Sequence, residues 1–171
     1  MERWDIYDAQ GNPTGKTVVR GGVRLNPGEY HLVVHIWVIS DDGRMLIQRR
    51  SDEKELMPGE WAAIGGAAIT GENSMQAARR ELFEEMGISA SSDEIKLVER
   101  IVRKNSFVDI WMLKTAISVD ELILQESEVS EAKLISVDEF KKMVEQGSFH
   151  NYGADYFETL LDAISAAEVI D

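Results

Sequence analysis

The sequence predicts an α/β protein in which a mixed β-sheet is sandwiched by helices, and three observations carry that expectation. The first is the apolar run from Leu32 to Ile39, the right length for a central strand and far short of the ~20 residues that cross a bilayer. The second is a stretch between Asn73 and Gly87 whose apolar residues recur at helical spacing. The third is segment order: strands are interrupted by helices without regular alternation, which favours a mixed sheet over a parallel one.

Taken along the chain, Trp4 to Tyr7 and Lys16 to Val19 read as a small hairpin around Gln10-Gly11-Asn12-Pro13. The central strand follows, with His31 and His35 near its start. Asp41-Asp42-Gly43 is a turn signal, and Arg44 to Arg50 returns as a strand. Pro58-Gly59 leads into Trp61 to Ile64 and the pair Gly65-Gly66. Asn73 can cap a helix, Gln76 completes a capping box, and Gly87 sits where a left-handed C-terminal cap belongs. Met75, Ala78, Leu82 and Met86 form its apolar stripe. Strands are expected at Ile95 to Arg103, Phe107 to Thr115 and Ala132 to Ile135. Ser136 with Glu139 opens a further helix that stops at Gly147. A closing helix, Tyr152 to Ala167, carries Phe157, Leu160, Leu161 and Ile164 on one side. Without repeats or a Pro/Ser-rich linker, residues 1–171 read as one domain, with 1–30 as hairpin and lead-in.

Composition narrows the functions. Net charge is −13, from 18 Lys plus Arg against 31 Asp plus Glu, which disfavours binding through nucleic-acid phosphates. A small phosphorylated substrate stays compatible, because a bound divalent cation inverts the local potential. Cysteine is absent, which removes disulfides, thiolate metal sites and cysteine nucleophiles together. The opening residues Met-Glu-Arg-Trp-Asp lack a signal-peptide core, so a cytoplasmic protein without membrane contact is expected.

The chemistry concentrates on the helix after Asn73. At about 100° per residue, Glu81, Glu84 and Glu85 share an arc of about 100°, read here as opposite the apolar stripe. Like charges at such spacing cost a helix about 0.2 to 0.5 kcal/mol each. A solvated face would intersperse Lys, so the cluster makes sense if a divalent cation sits there. Gly66, Glu72, Arg80, Glu81, Leu82, Glu84, Glu85, Gly87 and Ile88 fill every fixed place of the Nudix signature. A chance match in a chain this long is on the order of one in ten million.

The sequence therefore resembles the Nudix hydrolase family, with residues 66–88 as its box. The resemblance implies a Nudix-type α/β/α sandwich around a mixed sheet. It also implies attack of a metal-activated water on phosphorus in a nucleoside diphosphate linked to another group, with Mg2+ as cofactor and Mn2+ as the alternative. Carried over by position, Glu81, Glu84 and Glu85 are the metal carboxylates, with Glu81 also a candidate base. Arg80 orients Glu81, the Gly65 carbonyl is a backbone metal ligand, and Glu72 supports Arg80. Gly66 and Gly87 serve backbone geometry.

Outside the box, Asp109 stands in an apolar strand as a candidate metal ligand or base, with pairing to an Arg as the alternative. Glu126, Glu128 and Glu131 lie in a loop where such enzymes often hold a general base. Arg49 and Arg50 are candidate phosphate contacts. Trp111 is a candidate for stacking on a substrate base, a core position being the competing role. His31 and His35 share a strand face and read as polar core or pocket residues.

The pattern Asp5, Gly15, Arg20, then Gly28-Glu29-Tyr30-His31, Gln48-Arg49-Arg50 and Pro58-Gly59-Glu60-Trp61 resembles the branch containing isopentenyl diphosphate isomerase. That isomerase depends on a catalytic cysteine, which is missing here, so a hydrolase is expected. A nucleotide-binding regulator is the other rival, but such proteins usually lose box carboxylates. The N-terminal hairpin suggests a homodimer.

Overall fold

The computed structural model describes residues 1–22 and 24–168. The chain runs β1 (Arg3–Tyr7), β2 (Pro13–Val19), β3 (His31–Ile39), β4 (Met45–Arg50), β5 (Trp61–Ala62), β6 (Ile64–Ala67), α1 (Ser74–Met86), β7 (Ile95–Val102), β8 (Ser106–Lys114), β9 (Val129–Ile135), α2 (Val137–Glu145) and α3 (Ala154–Glu168). A single 3-10 turn, Val119–Glu121, precedes β9.

Strand β3 organises the main sheet. One edge pairs in parallel with β8 from His31↔Ser106 to Ile39↔Lys114, and β8 pairs antiparallel with β7. The other edge meets β4 at Ile39↔Met45, after which the two strands separate. The chain at 61–67 fills that split. Its first part, β5, pairs with β4, and its second, β6, pairs with β3, with the break at Ala63. Strand β9 covers the far edge of β4 and begins at Val129, earlier than expected, because Val129 is buried and pairs with Arg50.

Side-chain alternation along β3 produces the two faces. Leu32, Val34, Ile36 and Val38 pack with Ala77, Ala78, Leu82 and Met86 of α1. Trp37 and Ile39 pack with Phe140 and Met143 of α2 and with Tyr156, Phe157, Leu160 and Ile164 of α3. The result is the expected α/β/α sandwich. The caps of α1 are those the sequence encodes: Asn73 and Gln76 bond reciprocally, and Gly87 closes the helix at φ 72°. Leu161 is only half-buried, and α3 starts after Tyr152, whose hydroxyl accepts from the Ala63 N–H at 3.2 Å.

Hairpin β1–β2 forms a separate two-stranded sheet. Asp8 accepts from the N–H groups of Gln10 and Asn12, both at 2.9 Å, and sets its turn. The backbones of Tyr7 and Tyr30 exchange two hydrogen bonds, the Thr70 N–H donates to the Arg3 carbonyl, and Ile6 is buried. Among the described residues, no helix is long and apolar enough to cross a membrane.

Leu82 is fully buried where α1 meets β3. Leu82→Ala is expected to cost about 2–5 kcal/mol of folding stability, measured by urea denaturation. A loss below about 1 kcal/mol would show that α1 can shift to refill the space.

Candidate active site

The site starts from two glycines. A Cβ on Gly65, at φ 151°, would lie 2.0 Å from the Val34 carbonyl oxygen. A Cβ on Gly66 would lie 2.5 Å from Oε1 of Glu81. Helix α1 can therefore set its carboxylates directly on the backbone of β6. The role of Gly66 is this close approach and not an unusual φ, whereas Gly87 does need the left-handed region.

Arg80 is the hub of the box. Its Nε and Nη2 donate to the two oxygens of Glu72 at 2.6 and 3.0 Å. Its Nη1 donates to Glu81 Oε1 at 2.8 Å and to Glu84 Oε2 at 3.1 Å, and Nη2 also reaches the Ala67 carbonyl at 3.1 Å. Glu72 accepts a further bond from the Ile69 N–H at 3.0 Å. Both its oxygens are in use, and it fixes Arg80. The hydrogen bonds and charges of Glu72 and Glu81 hold the guanidinium firmly protonated.

Glu85 turns inward instead of lying opposite the apolar stripe. At about 100° per residue it is only about 60° from Leu82, and the split between β3 and β4 receives it. Its Oε2 accepts from the Gly65 N–H at 3.0 Å and from Gln48 Nε2 at 3.1 Å. Burial, then the charge of Glu81, push its carboxyl up to about 8. Burial also raises Glu81, against the opposing pull of Arg80. Both shifts record negative charge short of compensation, which a divalent cation supplies.

Each carboxylate is tethered by one oxygen only. Among the described residues, Glu81 Oε2, Glu84 Oε1 and Glu85 Oε1 have no hydrogen-bond partner. The donor set fits a hard cation that takes oxygen ligands. In this arrangement Arg80 draws Glu81 and Glu84 toward itself, and among the described residues no three acidic or imidazole groups converge at metal-ligand spacing.

Other expected residues lie elsewhere. Asp109 is buried, but Arg100 of β7 closes on both its oxygens at 2.6 and 2.8 Å, so a buried ion pair replaces the metal role read for it. Trp111 belongs to the core beside α1, and its indole N–H donates to Ser74 Oγ at 2.9 Å, which rules out the stacking role. Arg49 donates to the Gly59 carbonyl at 3.0 Å and lies 3.5 Å from Asp52; alternation along β4 turns it away from the face of Gln48. Arg50 shares that face and lines a cleft at its end of β4. Glu128 lines the same cleft, is paired with Lys54, and its charge contributes to the rise at Glu85; Glu126 and Glu131 are exposed.

His31 and His35 do share a face of β3 as polar pocket and core groups. His31 stacks on Trp4, while His35 bonds Tyr156 at 2.8 Å and burial takes its imidazole down to about 3. Gln48 is the residue that the sequence reading missed. It is buried, bridges the Ala63 carbonyl at 2.9 Å to Glu85, and holds that carboxylate in place. Its signal was an amide directly after the apolar run Met45 to Ile47 in the same strand.

The raised carboxyl of Glu85 fixes the sign of a pH effect. An acid whose folded pKa lies above its unfolded value of 4.5 stabilises the fold most below 4.5 and loses that contribution as pH rises toward about 8. Metal-free protein should therefore melt at lower temperature as pH rises across that window. Glu85→Gln should flatten the slope and added Mg2+ should offset it, all read by thermal denaturation. A pH-independent melting temperature in the metal-free protein would contradict the burial of this charge.

A family model described as NUDIX domain matches residues 29–152. An uncharacterized Nudix hydrolase of Listeria monocytogenes is 35% identical over 153 residues, covering 89% of this chain and 90% of its own. Nudix hydrolase 3 of Arabidopsis thaliana is 29% identical over 157 residues, covering 84% of this chain and 20% of that longer protein. The crystal structure of DR0079 from Deinococcus radiodurans superposes with a TM-score of 0.74 at 21% identity, covering 88% of this chain and 93% of that one. With the domain match spanning the box and the Listeria protein matched along nearly its full length, the chain belongs to the Nudix hydrolase family.

Proposed function

We propose that the protein hydrolyses the diphosphate linkage of a nucleoside-diphosphate-type substrate with the help of Mg2+, Mn2+ being the alternative metal. One observation carries this reading: among the described residues, Glu81, Glu84 and Glu85 are each anchored through one oxygen and keep the other without a partner. Those oxygens, with the Gly65 carbonyl, would hold the cation. A bound cation lowers the pKa of an attacking water and offsets charge on the diphosphate.

The chain's own residues do the positioning. Arg80 keeps Glu81 and Glu84 from rotating away and is itself fixed by Glu72. Glu81, its carboxyl raised by burial, is suited to take a proton from water at Oε2. Gln48 and Gly65 keep Glu85 seated in the split. Arg50, whose Nε alone is engaged, by the Leu56 carbonyl at 3.0 Å, offers its remaining N–H groups to a phosphate.

The absence of cysteine leaves the isomerase chemistry without its catalytic cysteine, and the intact box favours an enzyme over a regulator. Residues 1–171 are read as one catalytic unit acting in the cytoplasm, and the hairpin keeps a homodimer the preferred assembly.

Glu84 is exposed, so Glu84→Gln should fold normally while turnover on a panel of nucleoside di- and triphosphates and nucleotide sugars falls at least about a hundredfold. Release of phosphate or phosphomonoester, with and without Mg2+, measures it. An unchanged rate in the variant would sink the assignment.

A further inference from the structure

The box addresses the diphosphate and leaves open what reads the rest of the substrate; the inference here rests on the hydrolase reading above. A cleft of about 920 Å³ opens at the Arg50 end of β4, and Trp4, His31, Arg50, Lys54, Leu56 and Glu128 are among its lining residues. That volume lies within the ~300–1,000 Å³ of small-molecule sites. Two links join it to the carboxylates. Arg50 lies on the same face of β4 as Gln48, which holds Glu85, and Glu128 in the cleft wall bears electrostatically on Glu85.

One wall is aromatic and rigid. Trp4 of β1 stacks on His31 of β3 with ring centroids 4.3 Å apart and planes 10° from parallel. The Trp4 indole N–H is fixed to Glu2 at 2.8 Å, and the hairpin beneath it is bonded to Tyr30, Thr70 and Gly71. Burial lowers the His31 imidazole and so favours its neutral form, which makes the pair a planar stacking surface. The rest of the lining is mixed in charge: Glu53, Glu55 and Glu128 stand among Arg20, Arg24, Arg50 and Lys54, with Lys54 paired to Glu128 and Arg20 to Glu2. Arg50 keeps N–H groups without a partner among the described residues, so a flat group with an anionic linkage matches the aromatic pair and Arg50.

The aromatic half of this wall comes from residues 1–28, which precede the matched domain at 29–152. The hairpin lies outside the matched domain and lines the cleft through Trp4, Val18 and Val19.

We propose that the cleft receives the nucleoside half of the substrate, its base laid against the Trp4–His31 pair and its diphosphate led past Arg50 toward Glu85. Trp4 then determines specificity, and the hairpin is the element that selects for a base.

Calorimetric titration of the full chain in Mg2+ tests this, with the α,β-methylene analogues of ADP, CDP, GDP and UDP beside methylenediphosphonate, which has no base. At least one nucleotide should bind about tenfold tighter than methylenediphosphonate, the scale of one base stacked on an aromatic ring. Trp4→Ala should erase that advantage while leaving methylenediphosphonate affinity unchanged, which also certifies the fold. Trp4→Phe should restore most of it, and the nucleotide should quench tryptophan fluorescence in the native protein far more than in Trp4→Phe. Equal affinity with and without a base, an advantage that survives in Trp4→Ala, or equal quenching in Trp4→Phe would overturn the proposal and leave the hydrolase reading standing. Failure of every analogue and of methylenediphosphonate to bind the native protein would instead remove the diphosphate reading itself.

Discussion

The carboxylates of α1 sit where they do because β6 offers them bare backbone. A side chain on Gly66 would collide with Glu81 at 2.5 Å, and one on Gly65 would strike the Val34 carbonyl at 2.0 Å. With neither present, the helix settles into the split between β3 and β4, and the rest of the site follows from that depth. Glu85 enters the split and meets the Gly65 N–H and Gln48. Arg80 lies over the rim, where it reaches Glu72, Glu81, Glu84 and the Ala67 carbonyl together. A shallower helix would leave Glu85 in water, with an ordinary carboxyl and little call for a cation.

What the sequence made legible was local. Asn73, Gln76 and Gly87 act within a turn of the residues they cap, so both ends of α1 could be read directly. The spacing of the box carboxylates is fixed in the same way. Their surroundings are not. Helical periodicity put Glu85 on a polar arc, but its burial depends on β3 and β4 parting after Ile39 and Met45, a tertiary event without a local signal. Gln48 was hidden for the same reason, since an amide in an apolar strand has meaning only once its partner from α1 is known. Asp109 and Trp111 were visible as unusual strand residues. Their partners, Arg100 and Ser74, come from other elements that periodicity cannot pair with them. Arg49 and Arg50 were read together as phosphate contacts, and only the structure shows that alternation along β4 parts them and which of the two lines the cleft.

Two arginine–carboxylate clusters in this fold show how similar contacts serve opposite ends. Arg100 closes on both oxygens of Asp109, a carboxylate only 1% exposed, and the charge is consumed. Such a pair holds β7 to β8, and removing one partner would strand the other in the interior. Arg80 spreads its five bonds over three carboxylates and the Ala67 carbonyl, saturating Glu72 while giving one bond each to Glu81 and Glu84. Glu85, beyond its reach, relies on neutral donors. The first cluster is electrostatically finished and the second is not: its unspent oxygens and raised carboxyls are a standing demand for positive charge. That incompleteness, more than the number of acids on the helix, is what supports the proposed cation site over a merely charged surface.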